Sequence, residues 1–235
     1  GFKYLLYAEG FNIMAIIYSN YDGYAYKTHA NWNSARTFTT GTSSSHSSTN
    51  STVGISASVT TGRGGGSSYT IYRSFFIFDT SGINQLVESA TLSLRGVSNN
   101  SGDVIIVAAT SDISTITTAD YDSILDWDDS GTDGSGGGSG EPHLRKYSDG
   151  YVVTWNTTGY NDIPLRPEAM QDMRDSDTLY VCAMNYNKDF LDVAATSTHR
   201  LGTYYEDYTG TSRDPKITYE LSKSNAVLMG TNFWR

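Results

Sequence analysis

One cysteine, four prolines and six lysines among 235 residues exclude several protein classes at once. A lone Cys182 allows no intramolecular disulfide framework. Its apolar surroundings, LYVCAM at 179–184, predict a buried thiol that behaves as a small hydrophobe. No run approaches the ~20 consecutive apolar residues of a membrane-spanning helix. Acidic residues outnumber basic ones 25 to 16, for a formal charge of −9, and no basic cluster exceeds Arg145–Lys146. That weighs against nucleic acid, whose binders concentrate Lys and Arg to displace counterions. The acidic excess suits solubility, cation binding or a neutral-sugar ligand.

Catalytic motifs are also scarce. The four histidines, His29, His46, His143 and His199, stand apart and show no H-E-x-x-H spacing. No G-x-S-x-G elbow is present. With 25 acidic residues, some pair at glycosidase separation is inevitable, yet none sits in a recognisable motif. The expectation is a protein that is not an enzyme.

What the chain has in abundance is tyrosine (18) and glycine (23), on a background of Ser, Thr and Asn, the composition of a turn-rich β protein. Between residues 72 and 95 the run YRSFFIFDTSGI leads into VESATLSLR, where Ala90, Leu92 and Leu94 alternate with polar residues, the period of a strand with one dry face. Asp79 to Gly82 supply turn chemistry between the two strands. Further strands are expected near 14–19, before a turn at 20–23, at 53–59 as an edge strand, at 104–110 as a central strand, and at 151–155, 178–184, 199–205 and 216–221. Residues 39–50 and 61–68 read as loops. Pro167, Glu168, Ala169 and Met170 predict one short helix over 167–174. The fold class expected is all-β, a single antiparallel β-sandwich, jelly-roll-like, with that one helix.

The domain is expected to span 14–221, with 222–235 as an extension or extra edge strand. Residues 9–13 back-translate as a purine-rich stretch and an AT-rich spacer ahead of Met14, the form of a bacterial or bacteriophage ribosome-binding site read through in frame. On that reading 1–13 is a non-native leader; the competing reading is a native strand over 3–7.

The order of segments carries a resemblance. Arg73 and Phe78-Asp79, then SATLSL at 89–94, a Trp-containing middle and PKITY at 215–219 resemble the DNRLRE-type, carbohydrate-binding-module-like β-sandwiches. The segments TWNTTGYNDIPL and YTGTSRDPKITY resemble those of bacteriophage structural proteins. No counterpart of the Asn-Arg-Leu-Arg-Glu core occurs. The resemblance implies a sandwich module on a virion surface or other extracellular assembly, whose partners are glycans or other structural proteins.

Two groups of residues are candidates for binding. Sugar recognition uses aromatic faces with a few polar groups to fix orientation. Trp32 and Trp127, each flanked by polar residues and so expected at the surface, are candidates, with Tyr204, Tyr205 and Tyr208 as a second aromatic group. Trp155 is expected in the core. The carboxylates Asp126, Asp128, Asp129, Asp133 and Glu141, in a glycine-rich run after Asp120 and Asp122, are candidates for calcium. With Asp126 first, Asp128 and Gly131 fit the third and sixth places of an EF-hand loop, but Gly137 stands where a glutamate is required. A solvated acidic loop is the competing reading. Three functions follow as expectations: a non-catalytic structural module with weak glycan adhesion, a polysaccharide-degrading enzyme of phage depolymerase type, and a calcium-stabilised structural domain.

Overall fold

Ser74, Phe76 and Phe78 alternate with Arg73, Phe75 and Ile77, and all six are buried. A strand that is dry on both faces belongs at the centre of an architecture with a layer on each side. The computed structural model describes residues 13–110, 113–127, 144–148, 154–206 and 210–222. The expected leader apart from residue 13, the acidic run after 127, the start of the strand at 151–155 and the extension after 222 lie outside the described residues.

The strands are β1 (Ile13–His29), β2 (Ser43–Ser45), β3 (Asn50–Thr61), β4 (Ser67–Asp79), β5 (Val87–Asn100), β6 (Ile105–Ala108), β7 (Tyr160–Pro164), β8 (Thr178–Met184), β9 (His199–Tyr204) and β10 (Lys216–Leu221). All pairings between them are antiparallel. Six of them close into a barrel in the order β1-β10-β5-β9-β3-β4 and back to β1. β2 adds to β1, β7 to β5, β8 to β4 and β6 to β8. Closure leaves these six strands few unpaired backbone edges.

Two strands turn the corners. Residues 13–18 of β1 pair with β10, whereas 19–29 pair with β4, and the register shifts between Ser19 and Tyr21. β5 pairs with β10 and β7 up to Arg95, then with β9 from Gly96, with a shift between Gly96 and Ser98. Bulges of this kind let one strand pass from one layer to the next.

One apolar cluster lies inside, with Phe76, Phe78, Leu92, Leu94, Val181 and Ile217 among its members. A second cluster, including Phe75, Ile77, Ile105, Val107 and Cys182, lies on the other face of β4, β6 and β8. Trp32 and Ala35 of helix α1 (Trp32–Thr37), Tyr121 of a 3₁₀ turn (Thr118–Asp122) and Phe190 of a π-helical turn (Tyr186–Phe190) cover that face. Helix α2 (Pro167–Asp175) starts with proline, whose missing N–H is no loss there, and buries Ala169 and Met173 against the inner cluster.

Several expectations are corrected. Residues 20–23 form no turn, because β1 runs through them with Gly23 at φ 152°. The strand at 53–59 is not an edge, since β3 lies between β4 and β9. β6 is buried on both faces but ends the strand order, and isolated bridges from Lys146 and Ile124 flank it. β2 sits within the expected loop at 39–50, and α1 and the two single turns add to the one expected helix. Asp79 Oδ1 does accept from the Ser81 N–H at 3.0 Å. The strands joined there, β4 and β5, are not partners, because β5 pairs with β7, β9 and β10.

Candidate functional site

Trp32 is 9% exposed, not at the surface. Its polar neighbour Asn31 caps α1, accepting from the Ser34 N–H at 3.0 Å, so the polarity marks a helix start and not solvent. The Trp32 indole N–H donates to Asp192 at 2.9 Å and its ring meets Tyr69 edge-on. Trp127 is half-buried, with the Arg36 and Arg73 guanidinium carbons 4.7 and 4.9 Å from its ring centre. Both tryptophans thus pack in the second cluster. Tyr205 is fully buried, its hydroxyl 2.7 Å from Ser74 Oγ. Tyr204 is half-buried and accepts from Arg213 at 2.5 Å. Trp155 is in the core, its indole N–H donating to the Gly202 carbonyl.

Asp126 is exposed at φ 59°, whereas Asp128, Asp129, Asp133, Glu141 and Tyr208 lie outside the described residues. Among the described residues no three His, Cys, Asp or Glu side chains converge as a metal site.

A buried charged network braces the second cluster. Arg73 donates from Nε and Nη2 to the two oxygens of Asp189, each at 2.8 Å, and to the carbonyls of Tyr121 and Arg36 at 2.9 Å. Burial alone would lower the Arg73 pKa, but Asp189 overrides it and keeps the guanidinium charged.

On the side of β4 that carries Phe76 and Phe78, toward the end of the inner core, lies a half-buried row that is chemically unfinished. Directly opposed residues on antiparallel strands point to the same side, so register alone lays out a row. Tyr26 on β1 opposes Tyr72 on β4, which opposes Ser56 on β3, which opposes Arg200 on β9. The next row holds Thr28, Thr70 and Ser58, with the two threonine hydroxyls 2.9 Å apart. The Tyr26 and Tyr72 rings stack at 4.5 Å and 21°, and Tyr24 tilts against Tyr72 at 5.6 Å. Tyr24, Tyr26, Tyr72 and Arg200 are all half-buried. Among the described residues the three tyrosine hydroxyls have no hydrogen-bond partner. Burial, then the neighbouring Tyr26 and Tyr24, push the Tyr72 hydroxyl up to about 12, so it stays a neutral donor at ordinary pH. The face therefore offers stacked rings, hydroxyls able to donate or accept, and one cation.

A concavity of about 380 Å³ opens between the end of α2 and the start of β8, lined by Leu125, Tyr147, Asp172, Asp177 and Tyr180. The Asp172 carboxylate there is taken on both oxygens: Tyr147 donates to one at 2.6 Å and Arg145 to the other at 2.7 Å. The tyrosine face is the better site because its polar groups await a partner. Sequence reasoning missed it, although the Tyr24-x-Tyr26 alternation was a visible sign of two tyrosines on one side of a strand. The register that brings Tyr72 and Arg200 alongside was not visible.

No family model matches the chain, and no curated protein matches it.

Proposed function

We propose that this domain is a non-catalytic β-sandwich module, jelly-roll-like in the manner of the DNRLRE-type modules it resembles, that decorates a virion or other extracellular assembly and holds carbohydrate weakly on its tyrosine face. The observation that carries this reading is the stack of Tyr26 on Tyr72 beside Tyr24, with unpartnered hydroxyls and a flanking row of Ser and Thr. A sugar ring presents an apolar face edged by hydroxyls, which matches aromatic surface next to neutral donors and acceptors. A shallow, half-buried face suits weak binding, in the millimolar range of about 4 kcal/mol.

The test is a glycan array probed with the wild type and with a Tyr26→Ala, Tyr72→Ala variant of unchanged melting temperature. Wild-type binding that falls about tenfold in the variant supports the reading, since aromatic contacts of this type contribute ~0.5–1.5 kcal/mol each. Binding that survives the double substitution removes the face from the function. Calcium held by the run at 126–141 is tested apart from this, by melting with calcium and with chelator. A cation bound only to the native state must raise the apparent stability, and identical melts dismiss it.

A further inference from the structure

Arg200 stands out among the described arginines that are at least half-buried. Arg36, Arg73, Arg145, Arg166 and Arg174 each face a carboxylate within 4 Å. Arg95 donates to the Thr158 carbonyl and Arg213 to Tyr204. Arg200 is half-buried, its Nε is shut off from solvent without an acceptor, and among the described residues its guanidinium has no hydrogen-bond or ion-pair partner. With 25 acidic residues in the chain, carboxylates are not in short supply. With one N–H cut off from water and its two outer nitrogens still reachable and unpaired, this guanidinium can take an anion from outside.

Its position says which one. Arg200 opposes Ser56, and Ser56 opposes Tyr72, so the cation sits in the same row as the stacked rings. Neighbouring strands are ~4.8 Å apart, which places the Arg200 backbone about 10 Å from Tyr72 across a small serine. A short oligosaccharide spans that interval. We infer that this face selects acidic glycans: neutral sugar units lie against the outer edge and hydroxyls of the Tyr26–Tyr72 stack, and one carboxylate of uronic or sialic acid type takes paired N–H donors from Arg200. The planar fork of the guanidinium matches a carboxylate in two parallel hydrogen bonds. The net charge of −9 disfavours a densely charged polymer, so the ligand carries isolated carboxylates among neutral units.

This inference rests on the glycan-binding reading above, and the test separates the two. An array is printed with neutral oligosaccharides, their uronate- or sialate-bearing counterparts, and the carboxyl methyl esters of the latter. The wild type is expected to favour the free acids over their esters about tenfold, with a preference that weakens as salt rises. Arg200→Gln should bind acid and ester alike at the ester level, and Arg200→Lys should recover part of the preference. Equal binding of acid and ester by the wild type overturns the inference and leaves the glycan reading standing. An acid preference that persists in Arg200→Gln also overturns it. Failure to bind any member takes down both. The acid-against-ester comparison uses the wild type alone, so it stands even where a variant folds poorly.

Discussion

Asp189 holds Arg73 with both carboxylate oxygens and is itself fully buried, 116 residues away in the chain. Removing one partner of a buried ion pair strands the other charge, so Asp189→Ala is expected to lower stability by ~3–5 kcal/mol in denaturant titration. An Arg73→Met, Asp189→Leu double variant should recover much of that loss; recovery absent would mean that the carbonyl contacts of Arg73 matter more than the charge pair. Arg73 was recognisable in the sequence as part of a strand motif, but nothing local announces Asp189. Cys182 was legible because an apolar window alone decides its burial, and it is fully buried, with its thiol pushed up by that burial. Trp32 has the sequence surroundings of an exposed residue because a capping asparagine looks the same in sequence as a solvated one. Tyrosines give a second prediction at this scale. Burial raises the pKa of Tyr121 and Tyr205 above the unfolded value near 10. Their contribution is intact below pH 10, and above it the unfolded chain sheds protons that the folded chain keeps. Stability should therefore fall as pH rises past 10, by ~1.4 kcal/mol per pH unit for each of the two. Urea midpoints unchanged between pH 9 and pH 11 would refute it.

At the scale of elements, β8 and β10 fall on the residues that alternation and apolar runs indicated, and α2 differs from its expected span by one residue. What periodicity cannot carry is register and neighbour. The Asn20 to Gly23 segment has turn composition, yet β1 continues, because pairing along β4 outweighs local preference and Gly23 lets Ser45 approach where a Cβ would collide. Likewise β3, rich in Ser and Thr, has the composition of an edge strand, although β4 and β9 enclose it. The tyrosine row is illegible for the same reason: alternation and composition mark strands at β3, β4 and β9 but not the order in which they lie. Gly96 shows how tightly a corner is made. A Cβ there would overlap the Asn156 carbonyl and come within 2.7 Å of Trp155 Nε1, at the point where β5 passes from β10 to β9. Gly96→Ala is expected to cost ~1–3 kcal/mol through forced displacement at this bend, read as a lower denaturant midpoint. A variant as stable as the wild type would show that the bend has slack.

For the whole molecule, the closed ring makes distant parts of the chain interdependent. Ile217 is fully buried between Ile17 of β1 and Leu92 of β5, on the strand that seals the barrel. Ile217→Ala should cost ~2–5 kcal/mol and still unfold as one cooperative transition, because no part of the ring is independent of that seam. Separate transitions seen by tryptophan fluorescence and far-UV circular dichroism would contradict it. Slow folding is also expected, since the ring is built from contacts far apart in sequence. The pairing of β1 with β10 sets an order of events as well. A ribosome delivers Ile13 roughly two hundred residues before Leu221, which at ~5–20 residues per second is about 10 to 40 seconds. Throughout that interval Met14, Ile16 and Ile17 have emerged without the strand they pair with. β1 is thus made long before it can find its place beside β10, and until then the nascent chain must be kept from other partners.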